Sequence, residues 1–135
     1  MKRQFALALL VFITFAIQIN VSKAQTAKQF ELVQISTDFG DIVIWLYDQT
    51  PIHKSNFLKL AKEGFYNGTT FHRIINNFMV QGGDPNSKGS DPSKIGGGGP
   101  GYTLKAEIMP SLTHTYGTVA AARMGDQMNP ERRSS

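Results

Sequence analysis

The chain has no cysteine among its 135 residues. Disulfides are excluded, and so is a lipid anchor on an N-terminal cysteine; stability must come from the core. Histidine is also scarce. The three, at positions 53, 72 and 114, have no metal-ligand spacing. No Lys/Arg run interleaved with aromatics occurs, which argues against a nucleic-acid surface. Asp84, Asn86, Ser87 and Asp91 lack the EF-hand spacing and its closing Glu. Gly96 to Gly101 is not followed by Gly-Lys-Ser/Thr, so it is no phosphate loop. The long polar stretch from Pro85 to Gly101 reads instead as a flexible surface excursion. No metal or cofactor is expected, and no internal repeat is visible.

What is present begins with a targeting pattern. Lys2 and Arg3 precede an apolar run from Phe5 to Ile19, and Ser22-Lys23-Ala24 is a small-x-small site before Gln25. This is the layout of a secretory signal peptide. Residues 1–24 are therefore expected to be cleaved, the alternative being an uncleaved anchor in the inner membrane. The run is short for a span, which takes about 20 residues. Export to the periplasm follows as the expected location, with no stable membrane association after cleavage. Removing Lys2, Arg3 and Lys23 lowers the formal charge from +4 to +1. The basic balance thus belongs largely to the leader.

The remainder fits one domain, residues 30–135, after a polar lead-in at 25–29. Phe30 to Ser36 has strand composition. Thr37-Asp38-Phe39-Gly40-Asp41 reads as a turn, with Gly40 suited to positive φ. Ile42 to Tyr47 is apolar on both faces, which predicts a central strand covered on both sides, with Trp45 in the core or beneath a helix. Thr50-Pro51 opens a helix, Thr as N-cap and Pro at the first helical position. Phe57, Leu60 and Ala61 form its inward stripe, His53 lies one turn before Phe57, and Gly64 ends it. Strand character resumes at Tyr102 to Ile108 and at Gly117 to Arg123.

The most informative stretch is Phe71-His72-Arg73-Ile74-Ile75-Asn76-Asn77-Phe78-Met79-Val80-Gln81-Gly82-Gly83-Asp84. It reads as two short strands joined through Asn76-Asn77. Alternation places Phe71, Arg73 and Ile75 on one face of the first strand. In the second, Met79 and Gln81 share one face, Phe78 and Val80 the other. Taken singly, an Arg in a strand is an edge charge, a Phe-Met pair is core, and a histidine is structural.

As a whole, this run resembles the signature of the cyclophilin-type peptidyl-prolyl cis/trans isomerases. Thr37 to Ile42, Asn56-Phe57-Leu58 and Gly64 to Gly68 agree in order before it. Gly98 to Tyr102, Ala106-Glu107 and Gly117 to Arg123 agree after it. The resemblance runs from about Phe30 to the last residue. It implies a mainly β fold, a closed antiparallel β-barrel with capping helices. In cyclophilins the segment resembling Asn129 to Ser135 is followed by a Gly-Ser-Gln-Phe-type strand bearing a second pocket Gln and Phe, then further pocket residues, a helix and the closing strands. The barrel is therefore expected truncated, to one helix and about five or six strands.

The resemblance also implies an activity: rotation about X-Pro bonds in unfolded or flexible proline-containing polypeptides, during folding outside the cytoplasm. By that match Arg73 is the catalytic donor, Gln81 holds the substrate backbone, and His72 supports the site. Phe78 and Met79 match the proline pocket. Ala122 and Arg123 fall where the family presents backbone to substrate. Because the second half of the pocket is missing, the alternative is a non-catalytic proline-peptide binder or holdase, or an inactive fragment.

Overall fold

The computed structural model describes residues 30–134 apart from Ser90, Asp126 and Arg132. The leader expected over residues 1–24 lies outside the described residues. Glu31–Ser135 form a compact unit of their own. Among the described residues, no helix is long and apolar enough to cross a membrane.

Strands β1 (Leu32–Thr37) and β2 (Gly40–Trp45) pair antiparallel, from Leu32 opposite Trp45 to Thr37 opposite Gly40. The turn between them forms as its residues require. Gly40 sits at φ 120°, a conformation closed to most side chains. The Thr37 hydroxyl accepts from the Phe39 N–H at 3.2 Å and donates to the Gly40 carbonyl at 2.7 Å. Register then sorts the side chains. Val33 and Ile35 face Ile44 and Ile42 on one side, and Ile44 is 7% exposed.

The other side is largely exposed. Leu32, Val43 and Tyr47 are exposed, and Trp45, expected in the core, is 50% exposed with its ring edge-on to Tyr47. An apolar face shows what a strand is able to bury, not that a layer exists to bury it.

Helix α1 (Pro51–Lys62) begins and ends where the sequence indicates. Gly64, at φ 71°, follows the C-cap. Its N–H reaches the Ala61 carbonyl at 3.1 Å, and the Phe65 N–H reaches the Leu60 carbonyl at 2.9 Å. These two bonds satisfy carbonyls that the helix end would otherwise leave open. Leu60 is 5% exposed, Phe57 and Ala61 are half-buried, and Phe57 stacks on Tyr66 at 4.9 Å between centroids. The start differs from expectation. Thr50 holds the N-cap position, but its side chain makes no capping bond; its hydroxyl donates to the Tyr47 carbonyl at 3.4 Å. Glu107 does the capping instead. Its carboxylate accepts from the Ile52 N–H at 3.0 Å and the His53 N–H at 2.9 Å.

Strands β3 (Arg73–Ile75) and β4 (Met79–Gln81) form a second two-stranded antiparallel sheet. Among the described residues the mainly β character with one helix is seen, but the expected closed barrel of five or six strands is not: four strands form two separate pairs. A barrel removes its edges by pairing every strand with two neighbours; among the described residues each strand has one. The strands expected at Tyr102 to Ile108 and Gly117 to Arg123 are absent. The first reduces to a bridge between Leu104 and Ser134; the second is irregular and exposed. Their composition permits extension, but a strand needs a partner edge to supply its hydrogen bonds.

Candidate functional site

The β3–β4 hairpin owes its geometry to three features. Its register sets Arg73 opposite Gln81, Ile74 opposite Val80 and Ile75 opposite Met79. Its turn places Asn77 at φ 57°, the left-handed region that Asn tolerates better than other side chains. The Phe78 N–H closes the turn onto the Ile75 carbonyl at 3.1 Å. The link therefore spans Asn76, Asn77 and Phe78 rather than the two asparagines alone. Phe78 consequently leaves the strand, and it is 76% exposed.

Register brings Arg73, Ile75, Met79 and Gln81 onto one face. An Arg73 Nη1–H donates to the Gln81 Oε1 at 3.3 Å. This occupies one of the five donors a guanidinium carries. Met79 and Gln81 are half-buried, while Arg73 is exposed. Ile74 and Val80 take the opposite face and are exposed. The structure thus assembles a cation, an amide and a thioether. Phe78 stands beside them in the turn. Ala122 and Arg123 lie elsewhere, on the exposed segment after Gly117, where an Arg123 Nη1–H reaches the Met124 carbonyl at 3.3 Å. A groove lined by Ser55, Leu58, Lys59, Lys62 and Glu63 lies on α1 and includes no hairpin residue.

His72 enters β3 half-buried, and its Nδ1 is buried with no hydrogen-bond partner. On the other side of the hairpin, Gly82 is closely approached. A Cβ built there would stand 2.9 Å from the Phe71 ring, so the ring rests on bare backbone.

The polar stretch after the hairpin is not a loose excursion. Two short 3-10 turns, Pro85–Lys88 and Pro92–Lys94, fold it back on Asp84. The Asp84 carboxylate accepts from the Asn86 N–H at 2.8 Å and from the Gly96 and Gly98 N–H groups. Burial opposes its ionisation, but those three donors, helped by His72, hold its carboxyl below the usual range. A Cβ on Gly98 would overlap this carboxylate. Glycine serves close approach here, not looseness.

Ser87, buried, joins the two ends of the hairpin segment. Its hydroxyl donates to the Asp84 carbonyl at 2.6 Å and accepts from the Thr70 N–H at 2.9 Å. Sequence reasoning missed Ser87 and Asp84 as supports of the site. The available signal was the Asp-Pro-Asn-Ser run, a side-chain-capped turn directly after the glycines.

Residues 32–135 match the family model described as cyclophilin type peptidyl-prolyl cis-trans isomerase/CLD. A peptidyl-prolyl cis-trans isomerase-like 1 of Rhizopus delemar is 43% identical over 101 residues, covering 73% of this chain and 59% of that protein. A peptidyl-prolyl cis-trans isomerase of Helicobacter pylori is 42% identical over 110 residues, covering 76% and 63%. One of Synechococcus elongatus is 40% identical over 92 residues, covering 67% and 58%. The chain thus spans about six-tenths of the length of these relatives. No solved structure matches it significantly.

Proposed function

Because the chain belongs to the cyclophilin-type peptidyl-prolyl cis-trans isomerases, we propose that it accelerates rotation about X-Pro bonds in flexible or unfolded polypeptides. The observation that carries this reading is the pairing of Arg73 with Gln81 on the face that also bears Met79.

Rotation about a peptide bond must break amide resonance, against a barrier of about 18–20 kcal/mol. No covalent intermediate is needed. Twisting localises the lone pair on the proline nitrogen. A donor aimed at that nitrogen binds the twisted state more tightly than the planar one, and only such differential binding accelerates the step. Arg73 supplies the donor, and its bond to Gln81 restricts the guanidinium. Gln81 also offers an amide to the substrate backbone. Met79 and Phe78 receive the proline ring, with His72 in support and Ala122 and Arg123 meeting the substrate chain. One such donor contributes roughly 3 kcal/mol, about a hundredfold in rate.

Exchange NMR on an Ala-Pro peptide tests this directly. Added protein is expected to speed cis/trans exchange. A second reading, a proline-peptide binder without catalysis, is favoured by the exposure of Phe78 in the turn. Peptide binding with unchanged exchange would select it.

For location we propose export to the periplasm and a role in folding there, on the strength of the n-h-c pattern in residues 1–24. N-terminal sequencing of the protein from its host is expected to begin at Gln25. An intact Met1 would select the anchored form.

A further inference from the structure

We propose that His53 is a positioning residue that fastens the neck of the 105–133 excursion to the N-terminus of α1, and so sets where Ala122 and Arg123 stand. The inference rests on the reading above for the part those two residues play.

The imidazole lies between two segments. Its Nδ1 is 2.6 Å from Glu107 Oε2, and its Nε2 is 2.5 Å from Ser134 Oγ. A carboxylate only accepts, so Nδ1 must carry a proton. In the neutral ring Nε2 is then the acceptor, and the Ser134 hydroxyl donates to it. The Glu107 carboxylate thus sets the tautomer of the neutral ring, and the Ser134 hydroxyl, able to donate or accept, follows it. Glu107 is itself held by the Ile52 and His53 N–H groups, so it is fixed to the helix before it meets the ring.

The segment anchored this way is an excursion with a closed base. The Leu104 N–H reaches the Ser134 carbonyl at 2.7 Å, and the Ser134 N–H returns to the Leu104 carbonyl at 3.2 Å. Arg133 adds bonds from Nε to the Thr103 hydroxyl at 2.7 Å and from Nη2 to the Thr103 carbonyl at 2.9 Å. Asn129 accepts from the Arg133 N–H at 3.0 Å. Beyond this base, residues 113–125 are exposed throughout. The bonds at the neck therefore fix the base from which Ala122 and Arg123 are carried, and the His53 ring, beside the Glu107 bonds to the helix N-terminus, joins the Ser134 side of that neck to the helix.

The order serine, histidine, carboxylate is also that of a hydrolytic relay. Two observations assign it to fastening. Ser134 is 5% exposed, closed to a substrate. The Glu107 oxygens already serve the helix N-terminus.

The test uses the full chain, with amide hydrogen exchange and long-range imidazole 15N spectra. The wild-type ring is expected to show a protonated Nδ1 and an unprotonated, hydrogen-bonded Nε2. His53→Ala is expected to speed exchange of the Leu104 amide at least tenfold, while the β1–β2 amides keep their rates. Ser134→Ala, a milder change, is expected to abolish the hydrogen-bonded Nε2 signature and raise Leu104 exchange less. It should add nothing on top of His53→Ala. On an Ala-Pro substrate, His53→Ala should raise KM severalfold and leave kcat near the wild-type value, since Arg73 is untouched. An unchanged Leu104 amide in both variants would overturn the fastening, as would an equal rise across β1–β2. An unchanged KM alongside a loosened Leu104 would overturn the positioning of Ala122 and Arg123. Absence of isomerase activity in the intact chain counts against the function alone; Leu104 exchange still decides the fastening.

Discussion

Replacing Arg73 by alanine should lower the acceleration of Ala-Pro exchange about a hundredfold, with the β3–β4 hairpin intact. The size follows from losing one donor that acts on the twisted state, roughly 3 kcal/mol. The hairpin should survive because its register rests on backbone pairing and on the Asn77 turn, not on the guanidinium. Peptide affinity should change much less than rate, since the planar ground state draws little on that donor. Arg73→Lys should rescue little. A lysine keeps the charge but not the planar fork that bonds Gln81 while presenting further N–H groups. Exchange NMR across a substrate titration separates rate from affinity. Equal catalysis by wild type and Arg73→Ala would remove the guanidinium from the mechanism.

Replacing Glu107 by alanine should cost the fold about 3 kcal/mol, and lower the thermal midpoint by roughly 15 °C. The substitution strands the Ile52 N–H, the His53 N–H and the His53 Nδ1 proton together. The wild-type contribution also depends on pH in a defined sense. Burial works against the Glu107 charge, but the His53 and Ile52 N–H groups and the His53 ring outweigh it and hold the carboxyl below its ordinary value. A carboxyl lowered on folding stabilises the native state at pH values above its ordinary pKa, and loses that effect as pH falls through the lowered one. The melting temperatures of wild type and Glu107→Ala should therefore differ most near neutrality and converge in acid. A gap that stays constant down to pH 3 would show that the ionised carboxylate is not what matters.

These two residues mark how far the sequence could be read. Arg73 was legible only in part: a strand's period of two set Met79 and Gln81 on one face of the second strand, but which face meets Arg73 depends on the turn, and the three-residue turn is what sets Arg73 opposite Gln81. Gly64 was legible because a helix end writes its glycine beside it. Glu107 was not. It caps a helix far upstream in the chain, and no local window holds both partners. Phe78 was misplaced by one position because composition marks a turn without counting its residues. Trp45 and the segments 102–108 and 117–123 show a different limit. Their apolar or strand-like composition records a capacity, and whether it is used depends on which surfaces and edges stand opposite. The glycines at 96 and 98 were read as slack, yet they allow peptide N–H groups to crowd Asp84.

The Ser87 hydroxyl has a consequence for anyone who would shorten this protein. By bonding Thr70 at one end and Asp84 at the other, it turns the intervening chain into a non-covalent macrocycle, with the Arg73–Gln81 pair near the closure and the Asn77 turn across the ring from it. A synthetic peptide copying only Phe71 to Asp84 lacks that clasp and would need a chemical staple between its ends to take its place.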